Sequence, residues 1–117
     1  VGSATISNTT FSGNINGKST VYACGGSSLS ISDSDFTGNT GDYSGGVSLE
    51  GGTTVTISGS SFTGNTGSKA GALYSQSSWM EVIKTDFADN HKGDVRFYGL
   101  YDFGTAASFY CTQSICE

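Results

Sequence analysis

The motif Phe-x-x-Asn occurs four times at nearly constant intervals: Phe11 to Asn14, Phe36 to Asn39, Phe62 to Asn65 and Phe87 to Asn90. The phenylalanines stand 25, 26 and 25 residues apart. A period of that size marks an array in which each repeat is one structural unit stacked on the next. More than the motif recurs. Seven positions before the phenylalanines stand Ala4, Leu29, Val55 and Met80, and five before stand Ile6, Ile31, Ile57 and Val82. At six and four before lie Thr5 and Ser7, Ser30 and Ser32, Thr56 and Ser58, then Glu81 and Ile83. This period-two alternation is that of a strand with one buried face. Val21, Val47 and Ala72, fifteen before three of the phenylalanines, with Ala23, Leu49 and Tyr74 two residues further on, mark a second short strand in each unit.

A helical repeat is excluded, because no window places apolar residues three and four apart and Ser, Thr, Gly and Asn fill the units. An antiparallel meander seldom keeps its whole side-chain order every 25 or 26 residues. A coil laid on a coil must do so. The expected architecture is therefore all-β: a parallel β-solenoid of about four coils, separated by roughly 4.8 Å, the spacing of hydrogen-bonded strands. Phe11, Phe36, Phe62 and Phe87 then form one interior aromatic ladder. Asn14, Asn39, Asn65 and Asn90 form a second ladder, each amide donating to the same residue one coil away, with asparagine also tolerating the left-handed backbone of a tight turn. Glycines at Gly25-Gly26, Gly45-Gly46, Gly51-Gly52 and Gly71 are expected to supply bends. The absence of proline fits an unbroken hydrogen-bonded ladder.

The pairing of Phe-x-x-Asn with Gly45-Gly46-Val47, and its weaker relative Ala70-Gly71-Ala72, resembles the repeats of the chlamydial polymorphic outer-membrane protein family over roughly residues 4–97. That resemblance implies a right-handed β-helix on the cell exterior with adhesive or surface-structural roles, and it carries over no catalytic residue. The first copy departs from the pattern, with Ser19-Thr20 where Gly45-Gly46 would align.

Leu, Ile, Val and Phe make up 23 of the 117 residues, yet only 13% are charged and the net charge is −5. A solenoid accommodates this, since its core is a narrow column. The five basic residues, Lys18, Lys69, Lys84, Lys92 and Arg96, form no cluster for phosphates, so nucleic acid is not an expected partner. No stretch of this segment is long and apolar enough to span a membrane. Coils are expected over 1–97, with a cap or degenerate coil over 98–117; around that boundary and beyond it Phe97, Tyr98, Tyr101, Phe103, Phe109 and Tyr110 crowd together. The first strand begins within a few residues of Val1, which reads as a fragment of a longer protein. Cys111 and Cys116 are close enough to bridge in a secreted setting; Cys24 is odd, expected outward in the column of Glu50 and Ser75, and either free or paired elsewhere. Asn8-Thr9-Thr10 is a candidate glycosylation sequon.

Catalysis on polysaccharides would need convergent carboxylates. The candidates are Asp33 and Asp35, then Asp86 and Asp89, but their columns also hold Thr10, Ser61, Asn8, Gly59 and Lys84, as solvated turns do. His91 is solitary, and the glycine-rich stretches precede no helix. No catalytic residue, metal or cofactor is expected. Thr5, Ser30 and Thr56, with Ser7, Ser32 and Ser58, should form a flat outward hydroxyl face. The sequence thus reads as a non-enzymatic, extracellular or cell-surface structural or adhesion module, whose partners are other chains of a surface assembly or a host-surface ligand. Ice binding through the hydroxyl face is the first alternative; polysaccharide binding or cleavage is the second.

Overall fold

The computed structural model describes residues 2–15 and 17–98, with a further strand at 108–109. The chain winds in parallel coils. The first carries β1 (Ser3–Ser7), β2 (Thr10–Ser12) and β3 (Val21–Ala23). The second carries β4 (Ser28–Ser32), β5 (Asp35–Thr37), β6 (Thr40–Gly41) and β7 (Val47–Glu50). The third repeats this as β8 (Thr54–Ser58), β9 (Ser61–Thr63), β10 (Thr66–Gly67) and β11 (Leu73–Gln76). In the fourth, β12 (Trp79–Ala88) runs through a corner and is followed by β13 (Val95–Tyr98); β14 (Ser108–Phe109) then pairs with β12.

Every pairing is parallel. The first sheet stacks β1, β4, β8 and the first half of β12, with Thr5 on Ser30 on Thr56 on Glu81. The second stacks β2, β5, β9 and the second half of β12, so that the four motif phenylalanines lie one above another. The third stacks β3, β7, β11 and β13. Here the register differs from the sequence expectation: Leu73, not Ala72, pairs with Val47, and Ser75, not Tyr74, pairs with Leu49. The linker from β7 to β8 has three residues, Gly51, Gly52 and Thr53, whereas Ser77 and Ser78 alone join β11 to β12. Counting back from Phe87 across that shorter corner displaces the strand by one. Cys24 accordingly follows the column of Glu50 and Gln76, and it is exposed as expected.

The core is the column between the sheets. Ile31, Phe36, Val47, Leu49, Val55, Ile57, Phe62, Leu73, Met80 and Val82 are fully buried, each contributing about 1.5–3 kcal/mol of burial for its large side chain. Phe11 and Phe36 stack at 4.6 Å, Phe36 and Phe62 at 4.6 Å, and Phe62 and Phe87 at 5.3 Å, with ring planes 17°, 9° and 9° apart.

The asparagine ladder is directional. Asn14 donates its backbone N–H and its Nδ2 to Oδ1 of Asn39, both at 2.9 Å. Asn39 does the same to Asn65 at 2.9 and 3.1 Å, and Asn65 to Asn90 at 2.9 and 3.1 Å. Each later amide also reaches back to a phenylalanine carbonyl one coil earlier: Asn39 to Phe11 at 3.0 Å, Asn65 to Phe36 at 2.9 Å and Asn90 to Phe62 at 3.0 Å. The left-handed backbone does not fall on these asparagines but on the residue before each, Gly13, Gly38, Gly64 and Asp89, at φ of 64°, 63°, 66° and 55°.

A second ladder, of hydroxyls, lies at the corner between the first and second sheets. The N–H of Thr9 donates to Ser34 Oγ at 3.2 Å, that of Ser34 to Ser60 Oγ at 3.2 Å, and that of Ser60 to Thr85 Oγ1 at 3.5 Å. Ser34, Ser60 and Thr85 are buried, and their hydroxyls donate in turn to the carbonyls of Ser32, Ser58 and Ile83. Each corner thereby satisfies backbone groups that a turn would otherwise orphan. The glycines divide into two kinds. Gly25, Gly26, Gly51 and Gly52 adopt positive φ and are bends as expected. Gly45, Gly46 and Gly71 are instead sites of close approach: a Cβ at Gly46 would lie 2.4 Å from the Ala72 carbonyl oxygen and 2.9 Å from the Phe62 ring. The fourth coil ends the asparagine ladder differently. Val95 follows Asn90 by five residues, where Leu73 follows Asn65 by eight, and the buried Asp94 turns back so that its Oδ1 accepts from Asn90 Nδ2 at 2.8 Å.

Candidate functional site

The eight ladder residues point inward and are occupied with one another, so a site for an outside molecule has to be built from the outward positions. The first sheet supplies three outward columns in register. They are Ser3–Ser28–Thr54–Trp79, Thr5–Ser30–Thr56–Glu81 and Ser7–Ser32–Ser58–Ile83. The alternation of the strands sends Leu29, Ile31, Val55, Ile57, Met80 and Val82 into the core and leaves these hydroxyls outside. Ser3, Thr5, Ser7, Ser28, Ser30 and Thr54 are exposed, and Ser32, Thr56 and Ser58 are half-buried beside them. The outward side chains of β1, β4 and β8 carry no charge. The backbone groups of β4 and β8 are engaged with a neighbouring coil on either side, so these two strands offer hydroxyls rather than backbone N–H and C=O.

The hydroxyl face predicted from sequence is therefore brought together over three coils, and changes in the fourth. Trp79, Glu81 and Ile83 stand where the other coils place small hydroxyl residues, and Trp79 is 42% exposed. Two shallow depressions run on this side. One, of about 310 Å³, is lined by Ser3, Thr5, Ser28, Ser30, Thr54 and Thr56. The other, of about 380 Å³, is lined by Gly52, Thr54, Ser78 and Trp79, and the two share Thr54. Trp79 was not among the residues singled out from sequence. Its signal was there, as the outlier in a column of Ser3, Ser28 and Thr54.

The outer side of the third sheet is different in kind. Turns fold back over it, and Ser19, Ser44 and Ser48 join their hydroxyls beneath them, with Ser19 to Ser44 at 3.1 Å and Ser44 to Ser48 at 3.0 Å. Tyr43 packs on Tyr74 at 5.3 Å, and the Lys18 ammonium sits over the rings of Tyr22 and Tyr43. Lys18 donates to the Tyr22 hydroxyl at 2.9 Å and pairs with Glu50 at 3.5 Å, while the Tyr22 hydroxyl donates to Glu50 Oε2. That donation holds the Tyr22 pKa above its ordinary value, and the bond to Tyr22 raises that of Lys18. These groups are satisfied by each other and brace a wall.

The carboxylates stay apart. Asp35 and Asp86 share a column, with Ser61 between them donating to Asp35 at 2.5 Å. Asp33 and Asp89 sit at left-handed corners, the carboxylate of Asp33 lying over Gly59. His91 is exposed at a corner bridged to Thr66. Among the described residues no three His, Cys, Asp or Glu side chains approach closely enough to share a metal ion, and no helix is long and apolar enough to cross a membrane. Asn8 is exposed at a left-handed corner. Cys24 lines a hollow beside Ala4, Ile6, Val21 and Ala23, and Cys111 and Cys116 lie outside the described residues.

No curated protein and no solved structure matches the chain. The sequence does match the family described as the right-handed beta helix region over residues 1–114, and with the stacked parallel coils in view the chain belongs to that family.

Proposed function

We propose that this chain is a non-enzymatic, extracellular or cell-surface β-helix module, structural or adhesive, that works through the outward face of its first sheet. One observation carries the reading. The residues repeated in every coil are committed to the interior, whereas the outward columns Thr5–Ser30–Thr56 and Ser7–Ser32–Ser58 present a regular, uncharged surface. The likeness of Phe-x-x-Asn and Gly45-Gly46-Val47 to chlamydial polymorphic outer-membrane protein repeats supports the surface location. The partners are other chains of a surface assembly or a ligand on a host cell. The spread of Asp33, Asp35, Asp86 and Asp89 over different columns and corners supports a binding role over glycan cleavage, which needs convergent groups.

The test uses beads coated with the protein and presented to cultured cells. The wild type should adhere, and Ser30→Lys with Thr56→Lys, which place charge on the face without touching the core, should abolish adhesion while the circular dichroism stays unchanged. Adhesion that survives both substitutions would move the working surface elsewhere.

A further inference from the structure

We infer that the hydroxyl face and Trp79 together form a binding track for a neutral glycan chain, lying across the coils with one sugar ring on the indole. The inference rests on the adhesive reading above and names the ligand class of that face. An exposed indole offers a flat apolar ring to a ligand, and Trp79 and Ile15 are the exposed large hydrophobic residues among those described. Trp79 is moreover placed at the end of a feature. The two depressions meet at Thr54, so the hydroxyls of Ser3, Ser28 and Thr54 lead directly to the indole.

A sugar has hydroxyl edges and an apolar C–H face, and it requires hydrogen-bonding groups that can both donate and accept beside a flat ring to stack upon. Serine and threonine hydroxyls do both, and the indole supplies the ring. Successive rungs recur at roughly 4.8 Å, so a chain polymer meets the same chemistry at each coil. Charge selects within the glycans. The net charge is −5 and Glu81 neighbours Trp79 on the same strand, so an acidic polysaccharide is repelled and a neutral one is not. An added peptide strand fits less well on the face itself, because β-augmentation takes an unpaired strand edge and β4 and β8 are paired on both sides. An ice lattice needs the regular columns to continue, and Trp79, Glu81 and Ile83 interrupt them.

The chain has a single tryptophan, so its emission reports this site alone. Laminarin, hydroxyethylcellulose, galactomannan and dextran are titrated as neutral probes, with polygalacturonate as the acidic comparison. At least one neutral polymer should give a saturable blue shift, and polygalacturonate none. Affinity electrophoresis should show retardation in that polymer that falls about tenfold in Trp79→Ala, recovers in Trp79→Tyr, and weakens in Thr54→Val. Silence with all four neutral polymers, a shift with polygalacturonate alone, or retardation unchanged in Trp79→Ala would each overturn the track. If titrations are silent while bead adhesion persists and is lost in Ser30→Lys, the adhesive face stands and the glycan falls. Ice-crystal shaping by the wild type, absent glycan binding, would reassign the face to ice.

Discussion

Replacing Asn65 by alanine removes the centre of the asparagine ladder, and the cost follows from which partners are left behind. Asn65 is fully buried. Its Oδ1 accepts from the Asn39 N–H at 2.9 Å and from Asn39 Nδ2 at 3.1 Å, and its Nδ2 donates to the Phe36 carbonyl at 2.9 Å. Truncation orphans the Asn39 N–H in the interior, strips one of the two bonds of Asn39 Nδ2, which keeps the Phe11 carbonyl at 3.0 Å, and takes a donor from the Phe36 carbonyl. The fourth partner, Asn90 Oδ1, keeps the Asn65 backbone N–H at 2.9 Å. An unsatisfied buried polar group costs about 1–3 kcal/mol, and with partial relaxation the substitution should cost about 3–5 kcal/mol. Asn14 gives the control. Its Nδ2 donates to Asn39 Oδ1, which still accepts from the Asn14 N–H after truncation, and the residue is only half-buried, so Asn14→Ala should cost about 1 kcal/mol. Urea unfolding followed by far-ultraviolet circular dichroism measures both. In a stacked array a weakened end coil can open alone, so the urea slope is read with the midpoint. Equal losses in the two variants would refute the view that the ladder holds the coils together. Asn65→Asp adds a second handle. It keeps an acceptor for Asn39 but sets oxygen against Asn90 Oδ1 and the Phe36 carbonyl. The fold then favours the protonated acid and raises its pKa, so this variant should gain stability as pH falls through that raised value.

Glycine substitutions separate packing from backbone conformation. Gly46→Ala drives a Cβ against the Ala72 carbonyl oxygen and the Phe62 ring, neither of which can withdraw, and should lower the melting temperature more than Gly38→Ala. The latter meets open space at φ of +63° and costs only the left-handed strain of about 1–2 kcal/mol. The Lys18–Tyr22–Glu50 cluster predicts an alkaline limb. Both raised pKa values mean that the fold favours protonated Tyr22 and Lys18, so their contribution is complete below the ordinary tyrosine and lysine values and is lost as pH rises through the folded ones. Tyr22→Phe should flatten the fall of melting temperature above about pH 10, where free tyrosine titrates.

The period of 25 or 26 residues made the stack, the phenylalanine column and the asparagine column legible, because a stacked coil must repeat its interior. The hydroxyl ladder of Thr9, Ser34, Ser60 and Thr85 was equally periodic, two residues before each phenylalanine, but serine and threonine are so frequent in this chain that the column did not stand out. The register of the third sheet was missed because a deletion of one corner residue leaves the strands intact and changes only their offset. The roles of Gly45 and Gly46 were misassigned for another reason: a glycine that bends and a glycine that admits a neighbour are the same letter. Asp94 was illegible as the ladder's end, since its contact with Asn90 exists only because the fourth turn is short. Trp79 was visible only once the column gave it neighbours to differ from.

The one-way order of the asparagine bonds has an evolutionary consequence. Every interior coil receives from the preceding unit and gives to the following one with identical chemistry, so a whole unit can be duplicated or lost at the gene level and the junction still closes. Array length then becomes a heritable variable that selection can tune almost independently of sequence. A surface whose grip depends on the number of rungs can be strengthened by copying rather than by inventing.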